Sequence, residues 1–341
     1  MLLDWHAESW RQLQARRSAL PHALLFRGPK GIGKLQLATL FARSLLCEAL
    51  GPTRLPCLAC LACRWTGQGT HPDLRLIEPG SDIDLDEEGE PKAKSATKAP
   101  STQLRIAQIR ALQEWVVMSS HRNGLRIAIL APAEAMNMST ANALLKTLEE
   151  PPPRTLIVLV SHDASKLLPT IISRCQRVDV PMPSLEAGAA WLGAQGIAAP
   201  LSHLALASGA PLDVIEQQAR REVGAVLVEA LDTHTAEPLA LAAAVKDLAV
   251  LQVVDLLQKW AFDLMASRHG IAPRYYIEHR DKLVATAEHL DPLKLMGWAR
   301  ELAEARSLAS HPLNPRLVFE KLFLGYRDAL LTAEQRPTVG Q

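Results

Sequence analysis

Apolar positions along the first half of the chain follow two rhythms that alternate. Residues 1–20 show the spacing of an amphipathic helix that stops near Pro21. Residues 23–26, Ala-Leu-Leu-Phe, are a short apolar run that leads directly into a glycine-rich stretch, Gly28 to Gly33. A helix is predicted over 34–46, where Leu35, Ala38, Ala42 and Leu45 recur at helical spacing. Further short strands are predicted at 74–77, 126–130, 156–160 and 177–180, with helices at 104–118, 139–149 and 164–173. Strand and helix in alternation imply an α/β unit, a parallel sheet with helices on both faces.

Pro181 and Pro183 close this part, because prolines so close together suit neither a helix nor a central strand. From 184 onward every segment reads as helix, with breaks near Pro200, Gly209–Pro211, Gly270–Pro273 and His311–Pro315. The expected organisation is therefore an α/β unit over 1–181, a small helical unit over 182–212, a helical bundle over 213–334 and a tail at 335–341. Residues 79–103 interrupt the first unit with an acidic run followed by Lys, Ser, Ala and Pro, without apolar periodicity. They are expected to be a disordered surface insertion.

A chain of 341 residues has room for two or three cores. Its 37 Lys and Arg nearly cancel 36 Asp and Glu, which leaves no global field strong enough to hold nucleic acid unaided. No apolar stretch reaches the length of a membrane span. The N-terminal residues carry acids where a signal peptide needs positive charge. The expected setting is cytoplasmic, where thiols stay reduced.

Gly28-Pro29-Lys30-Gly31-Ile32-Gly33-Lys34 fits the phosphate-binding pattern G-x-x-x-x-G-K, set between a predicted strand and a predicted helix. Gly28, Gly31 and Gly33 let backbone N–H groups close around phosphate oxygens, and Lys34 reaches the outer phosphates. The next position needs a hydroxyl for Mg²⁺ and holds Leu35. Strand 126–130 runs into Ala131-Pro132, where a hydrolytic site needs an acid for the metal and another for water. Glu134, two residues on, reads as a solvent-facing helix or turn residue rather than a displaced base. Weak or no nucleotide binding is expected, with no Mg²⁺ site.

Cys47, Cys57, Cys60 and Cys63 lie within seventeen residues of sequence. Four thiols this close in a reducing compartment point to a closed tetrahedral zinc site with a structural role. An iron–sulfur cluster and unliganded cysteines are the alternatives. Cys175 stands apart and reads as a small buried hydrophobe.

Three strings occur together: Asn142-Ala-Leu-Leu-Lys-Thr-Leu-Glu-Glu-Pro-Pro152, Ser173-Arg174-Cys175, and the four-cysteine insertion after the glycine-loop helix. Over residues 5–175 this combination resembles the bacterial clamp-loader subunits, AAA+ proteins of the DNA polymerase III holoenzyme. The resemblance implies an AAA+ P-loop domain, then a small helical lid and an all-α collar. The family's ATP-hydrolysing gamma/tau subunit would carry Ser or Thr at 35, an Asp-Glu pair at 131–132 and an arginine in place of Leu212. The resemblance therefore points to a subunit without ATPase activity of its own. It further implies that Arg174 is an arginine finger offered in trans to the ATP of a gamma/tau neighbour. Read without it, Arg174 is a surface arginine at a helix end. Implied partners are gamma/tau and delta in a hetero-pentamer, and through it the beta sliding clamp and primed DNA. The rival readings are a divergent hydrolysing gamma/tau-like subunit and a pure scaffold.

Overall fold

The computed structural model describes residues 2–51, 53–81, 101–118, 124–216, 227, 231, 237–309 and 314–330. The disordered insertion expected at 79–103 falls mostly outside these residues, and the tail at 335–341 wholly so. The chain divides into two compact units, Met1–Ala187 and Gly188–Gln341.

The first unit is built on five parallel strands: β1 (Ala23–Arg27), β2 (Leu74–Ile77), β3 (Arg126–Leu130), β4 (Thr155–Ser161) and β5 (Gln176–Asp179). Their order is β2-β3-β4-β1-β5. Every residue of β3 and β4 is buried, as expected of strands covered on both faces. Side chains alternate between two cores. Leu24, Phe26, Ile127, Ile129, Val158 and Val160 face α1 (Ala7–Ala15) and α2 (Lys34–Leu46). Leu25, Ala128, Leu130, Ile157 and Leu159 face α4 (Ile106–Val117) and α5 (Met138–Glu149).

The strand assignments hold to within one or two residues, because continuous apolar runs leave little freedom of register. Two helical expectations change. Residues 1–20 contain a 3-10 turn at Asp4–His6, the helix α1 and a second 3-10 turn at Arg17–Ala19. Residues 164–173 contain a 3-10 turn at Ala164–Lys166 and a short helix α6 (Pro169–Ile172), since Pro169 starts a new first turn. A helix α3 (Leu61–Gln68), unforeseen in the sequence, lies within the cysteine segment.

A buried charge enters the sheet edge at Arg126, which is 3% exposed. Its Nε lies 3.7 Å from Asp73 Oδ1, and its guanidinium stacks 5.0 Å from the Trp115 ring centroid. Asp73 sits in a turn fixed by its own N–H donating to His71 Nδ1 at 3.1 Å.

In the second unit Leu192, Leu204 and Val214 form a small cluster, and a larger core gathers around Trp260, Trp298, Phe319 and Phe323. Trp298 Nε1 donates to Leu322 O at 2.8 Å, and Trp260 Nε1 donates to Tyr326 Oη at 3.1 Å. Asp263, fully buried on helix Val250–Arg268, accepts from the backbone N–H groups of Arg274, Tyr275 and Tyr276 at 2.8, 2.9 and 2.7 Å. These bonds pin the segment that follows the helix. Asp263→Ala strands three backbone donors, that of Tyr276 buried and the other two part-buried, so a loss of about 3 kcal/mol is expected in denaturant unfolding followed by tryptophan fluorescence. A change under about 1 kcal/mol would show that water replaces the carboxylate.

Candidate functional site

In a parallel sheet the C-terminal strand ends gather the loops where ligands bind. Here those ends carry the glycine loop after β1, residues 131–135 after β3 and residues 162–163 after β4. Gly28 has φ 151°, and a Cβ there would meet Val180 O at 2.5 Å. Gly33 has φ 87°, and its Cβ would meet His6 and Leu3 side chains at 2.8 Å. Both positions therefore require glycine.

The N-terminal turn latches onto the loop. Trp5 Nε1 donates to Ile32 O at 2.9 Å, and His6 Nε2 bonds the same carbonyl at 2.8 Å. Burial pushes the His6 imidazole below its ordinary range, opposed by that bond. This latch was not legible in the sequence, where Trp5 and His6 read only as the start of a helix.

Lys34 is 2% exposed and turns its ammonium back to donate to Pro29 O. Burial lowers its pKa to about 8, and the charge of Glu134 acts against that shift. Leu35 packs with the apolar face of α2, and Ala131 is buried in the same core. Of the two positions where magnesium chemistry needs ligands, one is thus half-buried against the hydrophobic core and the other lies within it.

Glu134 corrects an expectation. It is half-buried, not solvent-facing. Its Oε1 accepts from the His162 N–H at 2.8 Å. Burial lowers the His162 pKa, helped by the charge of Lys34. β3 and β4 are neighbours, so residues 28 positions apart meet at their ends. Beside the loop opens a cleft of about 790 Å³ lined by Gly28, Pro29, His162 and the Arg27–Asp179 ion pair, among others.

Arg174 lies elsewhere. It follows α6 and precedes β5, which places it at the N-terminal edge of the sheet, opposite the glycine loop. Its Nη1 donates to Thr170 O at 3.0 Å, and its Nη2 is 2.7 Å from Glu149 Oε1 at the end of α5. Ser173 Oγ donates to Thr170 O at 3.1 Å, while the Cys175 thiol enters the core, where burial pushes its pKa up to about 12. Both neighbours fix the backbone from which Arg174 projects. The partner Glu149 carried no signal in the sequence beyond a solvated helix face.

The sulfurs of Cys47, Cys57, Cys60 and Cys63 all lie within 4.8 Å of one another. Cys57 and Cys63 are 3.9 Å apart, close to the edge of about 3.8 Å that a tetrahedron with metal–sulfur bonds of about 2.3 Å would have. The backbone N–H of Cys57 donates to Cys47 Sγ, that of Cys60 to Cys57 Sγ and that of Cys63 to Cys60 Sγ, at 3.3 to 3.4 Å. Backbone bonds from Cys60 and Ala59 lower the Cys57 pKa to about 6, whereas burial raises that of Cys63 to about 12. None of the four forms a disulfide. Four soft donors, oriented by their own backbone, can hold a single thiophilic metal ion.

The family model for "DNA polymerase III, delta subunit" matches residues 6–184, just over half the chain. The DNA polymerase III subunit delta' of Pseudomonas aeruginosa is 33% identical over 305 residues, covering 87% of this chain and 84% of that protein. The chain belongs to the DNA polymerase III delta-prime family. The delta' subunit of Bacillus subtilis is 37% identical over 160 residues, 47% of this chain and 42% of that protein. Beyond the delta-prime family, the tau subunit of Escherichia coli is 36% identical over 154 residues, 45% of this chain and 20% of that protein. A solved gamma subunit-related protein of Thermotoga maritima shares the fold, with a TM-score of 0.51 at 17% identity, over 95% of this chain and all of that one.

Proposed function

We propose that this chain is the non-hydrolysing delta-prime subunit of a clamp loader, in which it serves the ATP site of a neighbour rather than one of its own. What most supports this reading is the placement of Arg174. Strand β5, about 10 Å long at about 3.3 Å per residue, separates it from the edge where the chain's own glycine loop lies. An arginine there faces away from Lys34 and suits a phosphate held by another subunit. The apolar packing of half-buried Leu35 against the core and the burial of Ala131 within it support the second half of the reading, that Gly28, Gly31, Gly33 and Lys34 bind nucleotide weakly or not at all.

In this reading residues 1–181 are the AAA+ domain, 182–212 the lid and 213–334 the collar. The collar joins gamma/tau and delta in a hetero-pentamer, and the assembly loads the beta sliding clamp onto primed DNA in the cytoplasm. The subunit offers a rigid face against which delta moves. Cys47, Cys57, Cys60 and Cys63 hold a structural zinc ion, closed to water because all four positions are protein thiolates. Among the described residues no helix is long and apolar enough to cross a membrane.

The test is reconstitution. The purified chain should co-elute with gamma/tau and delta, turn over no ATP alone, and raise the DNA-stimulated turnover of the assembly. Mg-dependent turnover by the isolated chain would favour the divergent hydrolysing subunit. An assembly that works equally well without the chain would remove the proposal altogether.

A further inference from the structure

Three polar atoms at the ends of β3 and β4, Glu134 Oε2, Ser161 Oγ and His162 Nδ1, are buried and have no hydrogen-bond partner. Buried polar groups are normally paired, and a carboxylate oxygen left so is costly unless a positive charge lies near it. The strand order places β4 between β3 and β1. Glu134 reaches from the end of β3 to the His162 N–H at the end of β4. Its carboxylate therefore leans toward the glycine loop that follows β1. His162 itself lines the cleft with Gly28 and Pro29.

On the other side of this gap is Lys34, buried and bonded only to its own loop carbonyl at Pro29 among the bonds described. A buried ammonium is tolerated when an acid shares its environment. Glu134 acts on Lys34 as that acid. A negative charge is thus already resident beside the lysine that, in a phosphate-binding loop, would meet the outer phosphates. An incoming polyphosphate would place more negative charge near a desolvated carboxylate. Leu35 and Ala131 leave no ligand for a magnesium ion that would relieve it.

We infer that Glu134 is an internal counter-ion of the glycine loop, held by the His162 N–H, and that its charge excludes phosphate-bearing ligands from Gly28–Lys34. This deepens the reading of the loop as a non-hydrolysing one and rests on it. Weak phosphate affinity of the loop is then an electrostatic property set by one side chain, in addition to the apolar residues at the metal-ligand positions.

The experiment is calorimetric titration of the isolated full-length chain with ADP and with inorganic tripolyphosphate, both without magnesium. Glu134→Gln is isosteric and keeps an oxygen to accept from His162. It should bind both probes about tenfold or more tightly than the native chain, since one full charge is removed at short range. Glu134→Asp, which retains the charge, should bind as weakly as the native chain. Adding Lys34→Ala to Glu134→Gln should abolish the gain. Equal affinity of Glu134→Gln and the native chain overturns the proposal. Equal gain in the Gln and Asp variants also overturns it, because shape rather than charge would then decide. The wider reading of the subunit fails on a different result, unchanged ATP turnover of the assembly carrying Arg174→Ala.

Discussion

Arg174→Ala is expected, on the proposed trans role, to silence one gamma/tau ATP site while leaving the subunit folded and assembled. A guanidinium fork that stabilises charge on the transferring phosphoryl oxygens contributes about 10³–10⁵ to turnover in comparable NTPases. That corresponds to about 4–7 kcal/mol of transition-state stabilisation. The native partners of Arg174 are too weak to matter for folding. Its pair with Glu149 is 36% and 49% exposed, and such pairs contribute about 0–1 kcal/mol. Stability and co-elution should therefore be unchanged, which separates a chemical role from a structural one. Single-turnover ATP hydrolysis by the reconstituted assembly on primed DNA is the appropriate measurement, because it resolves a lost site from sites that still fire. Arg174→Lys should recover little, since an ammonium lacks the planar fork. Normal single-turnover amplitude with Arg174→Ala would leave the arginine as an ordinary surface residue at a helix end.

Removing the proposed zinc ion should have a larger effect on structure, confined at first to the cysteine segment. Structural zinc contributes about 10–16 kcal/mol of apparent binding energy in zinc-finger peptides near neutral pH. Leu58 is 67% exposed and Leu61 43%, so of α3 only one face, with Ala62 and Cys63, is buried. On the proposed zinc site the ion is the main further tie on α3. The native chain should carry one zinc per molecule by elemental analysis. The pair Cys57→Ser and Cys60→Ser should lose it, together with amide-exchange protection across Leu61–Gln68. Protein purified free of zinc that keeps this protection would show that the four thiols pack without a metal.

These two effects differ in how early they were visible. The cysteine spacing announced a four-thiol cluster before any fold was known, because the spacing of ligand residues is a local feature of sequence. The same holds for the glycine loop, whose backbone demands at Gly28 and Gly33 are local. The helical spacing of α5, by contrast, gave no hint that Glu149 at its end would meet Arg174, 25 positions on. Likewise nothing near Trp5 or His6 pointed to the carbonyl of Ile32. Glu134 was misread as solvent-facing for the same reason, since its partner belongs to another strand end.

By itself the sequence determined the α/β unit, the positions of its strands to within a residue or two, the apolar side chains at Leu35 and Ala131 beside the glycine loop, and the four-thiol cluster. Each is written in apolar runs, glycine requirements or ligand identity, which act over a few residues. Only the tertiary structure decided which side chains share an edge of the sheet. The strand order β2-β3-β4-β1-β5 puts Glu134 and His162 beside the glycine loop and sends Arg174 to the opposite edge. The order of parallel strands is set by how helices cover the two faces, a long-range packing outcome that no local pattern encodes.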